Sequence, residues 1–241
     1  VVLKHIRFQV IPARKFYKIW DSRKTKALAK FSVWEPETES SWFSKLARPR
    51  EIISLGYYAH TDFSTPKSTS DHERLILEIL DMGKSGLSGS KRHEEIIRQI
   101  LPQPVRYQLV WSKETDDDPQ ASPRKGRDFN GSVYFWNPIP PSPDYVCLGM
   151  VATSTEDPPD LDQVRCIPAQ WVVKVEQAPR KVWDDAGLSG RPGSVWEINS
   201  MNLFVATVGH DPPPGPFYEL SATDFFATSD LSLVPAADLK K

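Results

Sequence analysis

Along most of the chain, apolar residues fall in short runs that alternate with polar ones and stop at Gly, Pro, Asp or Ser. Phe16-Tyr17-Lys18-Ile19-Trp20, Phe31-Ser32-Val33-Trp34, Tyr107-Gln108-Leu109-Val110-Trp111 and Ser132-Val133-Tyr134-Phe135-Trp136 are such runs. Rich in Val, Tyr, Phe and Trp, they predict strands rather than helices. Prolines sit where runs begin or end, where a missing N–H does not break a ladder. Asn130-Gly131 predicts a tight hairpin turn, because both residues tolerate positive φ. The segment His93-Glu94-Glu95-Ile96-Ile97-Arg98-Gln99-Ile100-Leu101 breaks the alternation, and its spacing predicts a helix. Leu75-Ile76-Leu77-Glu78-Ile79-Leu80 fits either a strand or one helical face, within a polar, Gly/Ser-rich stretch from Thr65 to Ser90. Lys113 to Arg127 is polar and charged and reads as a surface loop.

The strand runs repeat. A Pro-led segment ending in Trp is followed by a second Trp segment three times: Trp20 with Trp34, Trp111 with Trp136, and Trp183 with Trp196. An apolar run and a Pro-bearing turn then follow. The second copy has Tyr145 to Thr153 and Pro158-Pro159, and the third has Val205-Ala206-Thr207 and Pro212-Pro213. The first is looser, with Ser54 to Thr61 and Pro66. These repeats predict an all-β fold of tandem β-sandwich-like modules over 1–100, 101–176 and 177–241, the first with a polar insertion. A large apolar side chain fixed in every copy is expected to be a core landmark rather than a ligand platform.

Charge narrows the partners. With 30 Lys+Arg against 31 Asp+Glu, the chain has no excess field to draw in a nucleic-acid backbone. The 22 prolines oppose long helices, in keeping with the strand pattern. Cys147 and Cys166 are too few for a disulfide framework and are expected to be buried, reduced thiols. The N-terminal Val1-Val2-Leu3-Lys4-His5-Ile6-Arg7-Phe8 has no unbroken apolar run, so neither a signal peptide nor a membrane anchor is expected there. It lacks a starting Met, which suggests a piece of a longer chain in a reducing compartment.

Catalytic patterns are incomplete. Gly83-Lys84-Ser85 resembles the end of a phosphate-binding loop, but Glu78 stands where the first Gly is needed. Gly86-Leu87-Ser88-Gly89 and Gly187-Leu188-Ser189-Gly190 are each one residue short of a nucleophile elbow. His5, His60, His72, His93 and His210 lack close ligand spacing, and Asp116-Asp117-Asp118 lacks that of a calcium loop, so neither metal nor cofactor is expected. Asp184 and Asp185 are the carboxylates a hydrolase would use, yet neighbours in a strand point to opposite faces. The expectation is a protein without catalytic activity. A carbohydrate- or lipid-binding β module is the alternative that repeated aromatic strands also serve.

Tyr134-Phe135-Trp136-Asn137-Pro138-Ile139-Pro140-Pro141, Tyr145-Val146-Cys147-Leu148-Gly149, Pro158-Pro159 and Val164-Arg165-Cys166-Ile167-Pro168 resemble the adaptor-binding repeats of the vacuolar protein sorting thirteen family, the bridge-like lipid transfer proteins. Trp183-Asp184-Asp185-Ala186-Gly187 through Ser194-Val195-Trp196 looks like the acidic, Gly-rich step of the same repeats, and the related vacuolar protein sorting sixty-two proteins share the motif. Lys24-Thr25-Lys26, where Gly is expected, and Met201-Asn202-Leu203-Phe204, in place of a Leu-Gly step, depart from it. The resemblance implies β modules without a reaction that capture Pro-x-Pro motifs of organelle-specific membrane adaptors. It further implies a cytoplasmic, peripheral location at membrane contact sites. Side-chain amides can hold their own loop, the role expected more often, or pair with an incoming backbone, and the two act together where a held loop shapes the groove beside it; apolar residues suit pockets for proline. A peptide groove is therefore expected where the second and third copies meet, around Val164, Arg165, Asn199, Asn202 and Phe204.

Overall fold

The structure is a computed structural model that describes residues 6–23, 25–38, 50–69, 72–81, 87–114 and 131–221, and of 87–93 the backbone only. In chain order the elements are β1 (Ile6–Pro12), β2 (Phe16–Asp21), β3 (Ser32–Pro36), β4 (Arg50–Ile53), β5 (Tyr58–His60), β6 (Leu75–Asp81), α1 (Leu87–Ile100), β7 (Arg106–Lys113) and β8 (Val133–Ile139). There follow β9 (Tyr145–Val146), β10 (Val151–Thr153), β11 (Ile167–Pro168), β12 (Val172–Lys174), β13 (Arg180–Asp184), β14 (Gly193–Glu197), β15 (Phe204–Val208) and β16 (Tyr218–Leu220). The all-β expectation holds. The open run Leu75–Leu80 is strand, in β6, and the helical spacing near Ile97 lies in α1. Asn130 and most of the loop expected at Lys113–Arg127 lie outside the described residues.

Three antiparallel sheets have one plan: β2-β3-β5, β7-β8-β10 and β13-β14-β15. In each, the register slips just before the first tryptophan, between Lys18 and Trp20, Leu109 and Trp111, and Lys181 and Trp183. A bulge of this kind re-aims the side chain that follows it. Trp20, Trp111 and Trp183 turn into one core, where Trp183 lies 6.4 Å from Trp20 and 6.0 Å from Trp111 between ring centroids. Phe31 stacks on Trp183 at 4.8 Å and Phe135 on Trp111 at 5.7 Å.

Each indole closes onto the next sheet. Trp20 Nε1 donates to the Gly131 carbonyl (2.6 Å), Trp111 Nε1 to that of Arg191 (2.8 Å) and Trp183 Nε1 to that of Ala29 (3.3 Å). A second ring of hydrogen bonds joins the three sheets around a common centre, the axis, in which Tyr57 N donates to Met150 O (2.9 Å), Met150 N to Phe204 O (2.9 Å) and Phe204 N to Tyr57 O (3.3 Å). Gly56, Gly149 and Leu203 precede these three residues and meet at the axis. A Cβ on Gly149 would stand 2.8 Å from that of Leu203, and one on Gly56, at φ +153°, would stand 2.9 Å from Gly149 Cα. The third copy fits a leucine where the others have glycine, and Asn202 just before it takes the left-handed turn at φ 56°.

This arrangement differs from sandwich-like modules joined end to end. A three-stranded sheet of such short strands has one apolar face and nothing within itself to cover it. The cover comes from the other two sheets. Beside this core lies a second, in which the sheet β1-β6-β4, α1 and the pairs β9-β11 and β12-β16 gather Phe8, Leu77, Ile79, Ile97, Leu101 and Trp171. The outer tryptophans Trp34, Trp136 and Trp196 are buried too, at 4–6% exposure. Their indoles donate to Ser32 Oγ, Thr153 Oγ1 and Ser194 Oγ at 2.7–2.8 Å. Lys18 covers Trp34 and Lys181 covers Trp196. Burial of all six argues against ligand platforms.

Candidate functional site

Around the axis, the last strand of one sheet meets the first strand of another: β15 faces β7, β5 faces the β13 sheet, and β10 faces β2. Cross-strand neighbours share one face and interact. At equivalent positions the first and second strands place Tyr17 opposite Glu35, Gln108 opposite Asn137, and Arg180 opposite Glu197. One geometry thus carries three chemistries. Burial holds the Glu35 carboxyl above its usual range.

A cleft of about 390 Å³ opens between β7 and β15. Its walls are Gln108, Val110, Asn137 and the Val205–Thr207 part of β15, its floor is Cys147–Met150, and its far side is the segment Pro213–Tyr218. Among the described residues no charged side chain lines it. Among the described residues, the amides of Gln108 and Asn137 make no hydrogen bond, so both keep a donor and an acceptor for a ligand. Among the described strands, neither β7 nor β15 has a partner on the side that faces the cleft, although Ala206 N of β15 donates to Met150 Sδ (3.2 Å). Leu109 and Val208, on the same two strands, are exposed. Cys147 lies beside Cys166, Sγ to Sγ 3.0 Å, and this contact and burial raise the Cys147 thiol above its ordinary value.

The expected junction therefore has a cleft, but the five expected residues do not line it. Phe204 is fully buried in the shared core, 5.4 Å from Phe135 between centroids, and Val164 is 1% exposed. Their side chains complete the fold, so neither forms a pocket wall as expected. Arg165 is buried against the first copy, its N–H on the Ser54 carbonyl and its guanidinium 3.9 Å from Glu51. Asn202 donates to the Glu73 carbonyl at 2.7 Å, away from the cleft. Asn199 comes nearest to the expected role. Its amide donates to the carbonyls of Leu148 (3.1 Å) and Tyr218 (3.2 Å), and its Oδ1 accepts from Leu203 N (3.2 Å). It thereby fixes floor and far side of the cleft to each other.

Among the described residues no group of three or more His, Cys, Asp or Glu is placed to hold a metal ion. No described helix is long and apolar enough to cross a membrane. The model of the family of vacuolar protein sorting-associated protein 62 matches residues 4–210, which spans all three sheets. The chain belongs to this family. The match is to that family and not specifically to the adaptor-binding repeats of the thirteen family. No curated protein matches the chain. The crystal structure of GNIP1Aa from Chromobacterium piscinae is similar to it, with a TM-score of 0.59 and 17% identity over 92% of this chain. At that identity the likeness is one of fold. The chain spans 38% of the length of GNIP1Aa. Family and fold together support a β-rich binding module.

Proposed function

We propose that the cleft between β7 and β15 binds an extended, proline-containing peptide, and that the chain is a non-catalytic adaptor-binding module. The observation that carries this reading is a cleft whose described lining carries no charge, with two unbonded amides side by side and the edge of β7 beside them. An extended peptide gains main-chain hydrogen bonds at such an edge, while alternate side chains enter apolar pockets. Gln108 and Asn137 can meet the peptide backbone, and Val110, Ile198 and Met150 its apolar side chains. The chain's own Pro214-Gly215-Pro216 forms the far side of this cleft, an apolar wall against which the prolines of a bound peptide can pack. As in the adaptor-binding repeats that the sequence resembles, the partner is a Pro-x-Pro motif of a membrane adaptor. The role is to hold a larger lipid-transfer protein at organelle contact sites from the cytoplasmic side.

The test is a titration of Pro-x-Pro peptides and their Ala-x-Ala versions. The first should bind and the second fail. Gln108→Ala and Asn137→Ala should each weaken binding by roughly three- to tenfold, the worth of one neutral hydrogen bond. Equal binding of both peptide sets would refute the reading.

A further inference from the structure

The β5/β13 junction repeats this cleft with charge in it. A space of about 600 Å³ is bounded by Ala59–Thr61 of the first sheet and by Arg180, Val182 and Glu197 of the third. Lys67, Arg74 and Arg180 bring three cations, and Glu197 is the one carboxylate among the described lining residues. That carboxylate is already engaged, by an ion pair with Arg180 and by His72 Nε2 at 3.1 Å. Arg74 is 3% exposed, and among the described residues Glu197 acts on it only from beyond ion-pairing distance, while that carboxylate is shared with Arg180 and His72. Its Nη1 donates to the Lys67 carbonyl at 2.8 Å, and its Nε has no partner. A buried guanidinium short of an anion is expensive, and a ligand that supplies one removes the cost.

We propose that this cleft binds a phosphate monoester group, held by the guanidinium groups of Arg74 and Arg180 with Lys67 beside them. Among the described lining residues, three cations against one carboxylate leave two positive charges, the charge a phosphate monoester balances near neutral pH. Guanidinium forks match phosphate oxygens, and the hydroxyls of Thr61, Thr65 and Thr69 line the same space as further donors. The group can belong to a soluble phosphomonoester or to a phosphoinositide headgroup, since the chemistry met by the cleft is the same. This site is separate from the uncharged cleft, so either can fail without the other.

The experiment is calorimetry with phosphoserine and inorganic phosphate at pH about 7.5, where the monoester is close to dianionic. Flotation with phosphatidylcholine vesicles, with and without phosphatidylinositol phosphate, runs beside it. Binding in either arm is expected to weaken roughly tenfold or more in Arg180→Gln and in Lys67→Ala, the worth of a charge-assisted hydrogen bond. Both side chains are solvent-exposed, and their variants are expected to fold; Arg180→Gln keeps a donor toward Glu197. Retention on phosphoinositide vesicles with weak phosphoserine binding assigns a lipid source, and the reverse a soluble one. Failure of phosphoserine, inorganic phosphate and phosphoinositide vesicles alike would overturn the proposal. So would binding that persists undiminished in the two variants.

Discussion

Gly193→Ala tests whether the three sheets share one core. A Cβ at this position in β14 would lie 2.2 Å from Nε1, 2.4 Å from Cε2 and 2.6 Å from Cδ1 of the Trp111 indole, which belongs to the second sheet. The ring has little room to move. It is 2% exposed, stacked on Phe135, edge-on to Trp183 and bonded through Nε1 to the Arg191 carbonyl. Overpacking a close-packed core costs about 1–3 kcal/mol, and loss of the indole hydrogen bond adds about 1 kcal/mol. Gly193→Ala should therefore destabilise by about 2–4 kcal/mol and lower the melting midpoint by on the order of 10 °C. Trp111→Phe removes the pyrrole atoms that clash and leaves the Arg191 carbonyl without its donor. In the double variant the new methyl occupies the vacated space, so the double cost should fall short of the sum by at least about 1 kcal/mol. Urea unfolding followed by far-ultraviolet circular dichroism measures all three variants without relying on tryptophan emission. Additivity within about 0.5 kcal/mol would mean that the second and third copies do not interlock.

Other outcomes follow from the same packing. Trp136→Ala and Trp196→Ala should each cost roughly 3–5 kcal/mol and shift a single transition of the whole chain, as calorimetry will register; two separate transitions would count against a shared core. Burial, and Arg74 nearby, hold the His60 and His72 imidazoles below the usual 6.5, so the unfolded chain takes up protons that the folded one does not. Their stabilisation is complete above about pH 6.5 and is lost as pH falls toward the folded values; urea unfolding against pH should show a fall that is smaller in a His60→Asn, His72→Gln double variant. The raised Cys147 thiol and the buried Cys166 should be alkylated by iodoacetamide far more slowly in the folded protein than in urea, and equal rates would refute the burial.

Much of this architecture is legible in the order of side chains, and its limits have a physical cause. The alternation around Trp20, Trp111 and Trp183 marks three strands with one apolar face each, and that much follows from local sequence. Which surface covers each face does not follow, because an apolar face is satisfied equally by a sheet of its own copy or by two sheets from elsewhere. The same gap misplaces Phe204. An aromatic in a polar stretch suits a pocket, but Phe204 occupies the place of Tyr57 and Met150 in the ring of hydrogen bonds, where a side chain must point into the core. Asn199 was legible as a loop-holding amide, since such groups bond their own loops more readily than a ligand.

The residues that distinguish the junctions were also in the sequence, at a fixed offset. Glu35, Asn137 and Glu197 each follow the second tryptophan of a pair, and Tyr17, Gln108 and Arg180 each stand three residues before the first. The packing common to the three copies hides them, because the tryptophans that reveal the repeat hold the three sheets alike. These six side chains differ between copies at equivalent positions while the tryptophans do not, so they are places where the junctions can differ within one scaffold. A carboxylate facing a phenol, two amides, and a carboxylate facing a guanidinium give the three junctions different side-chain chemistry on one backbone. Exchanging Gln108 and Asn137 for Arg and Glu should therefore abolish proline-peptide binding at the β7/β15 cleft while leaving the unfolding midpoint close to that of the parent, because neither amide is bonded within the fold. A peptide titration alongside thermal unfolding measures both; a fall in stability as large as the fall in binding would place these residues in the scaffold instead.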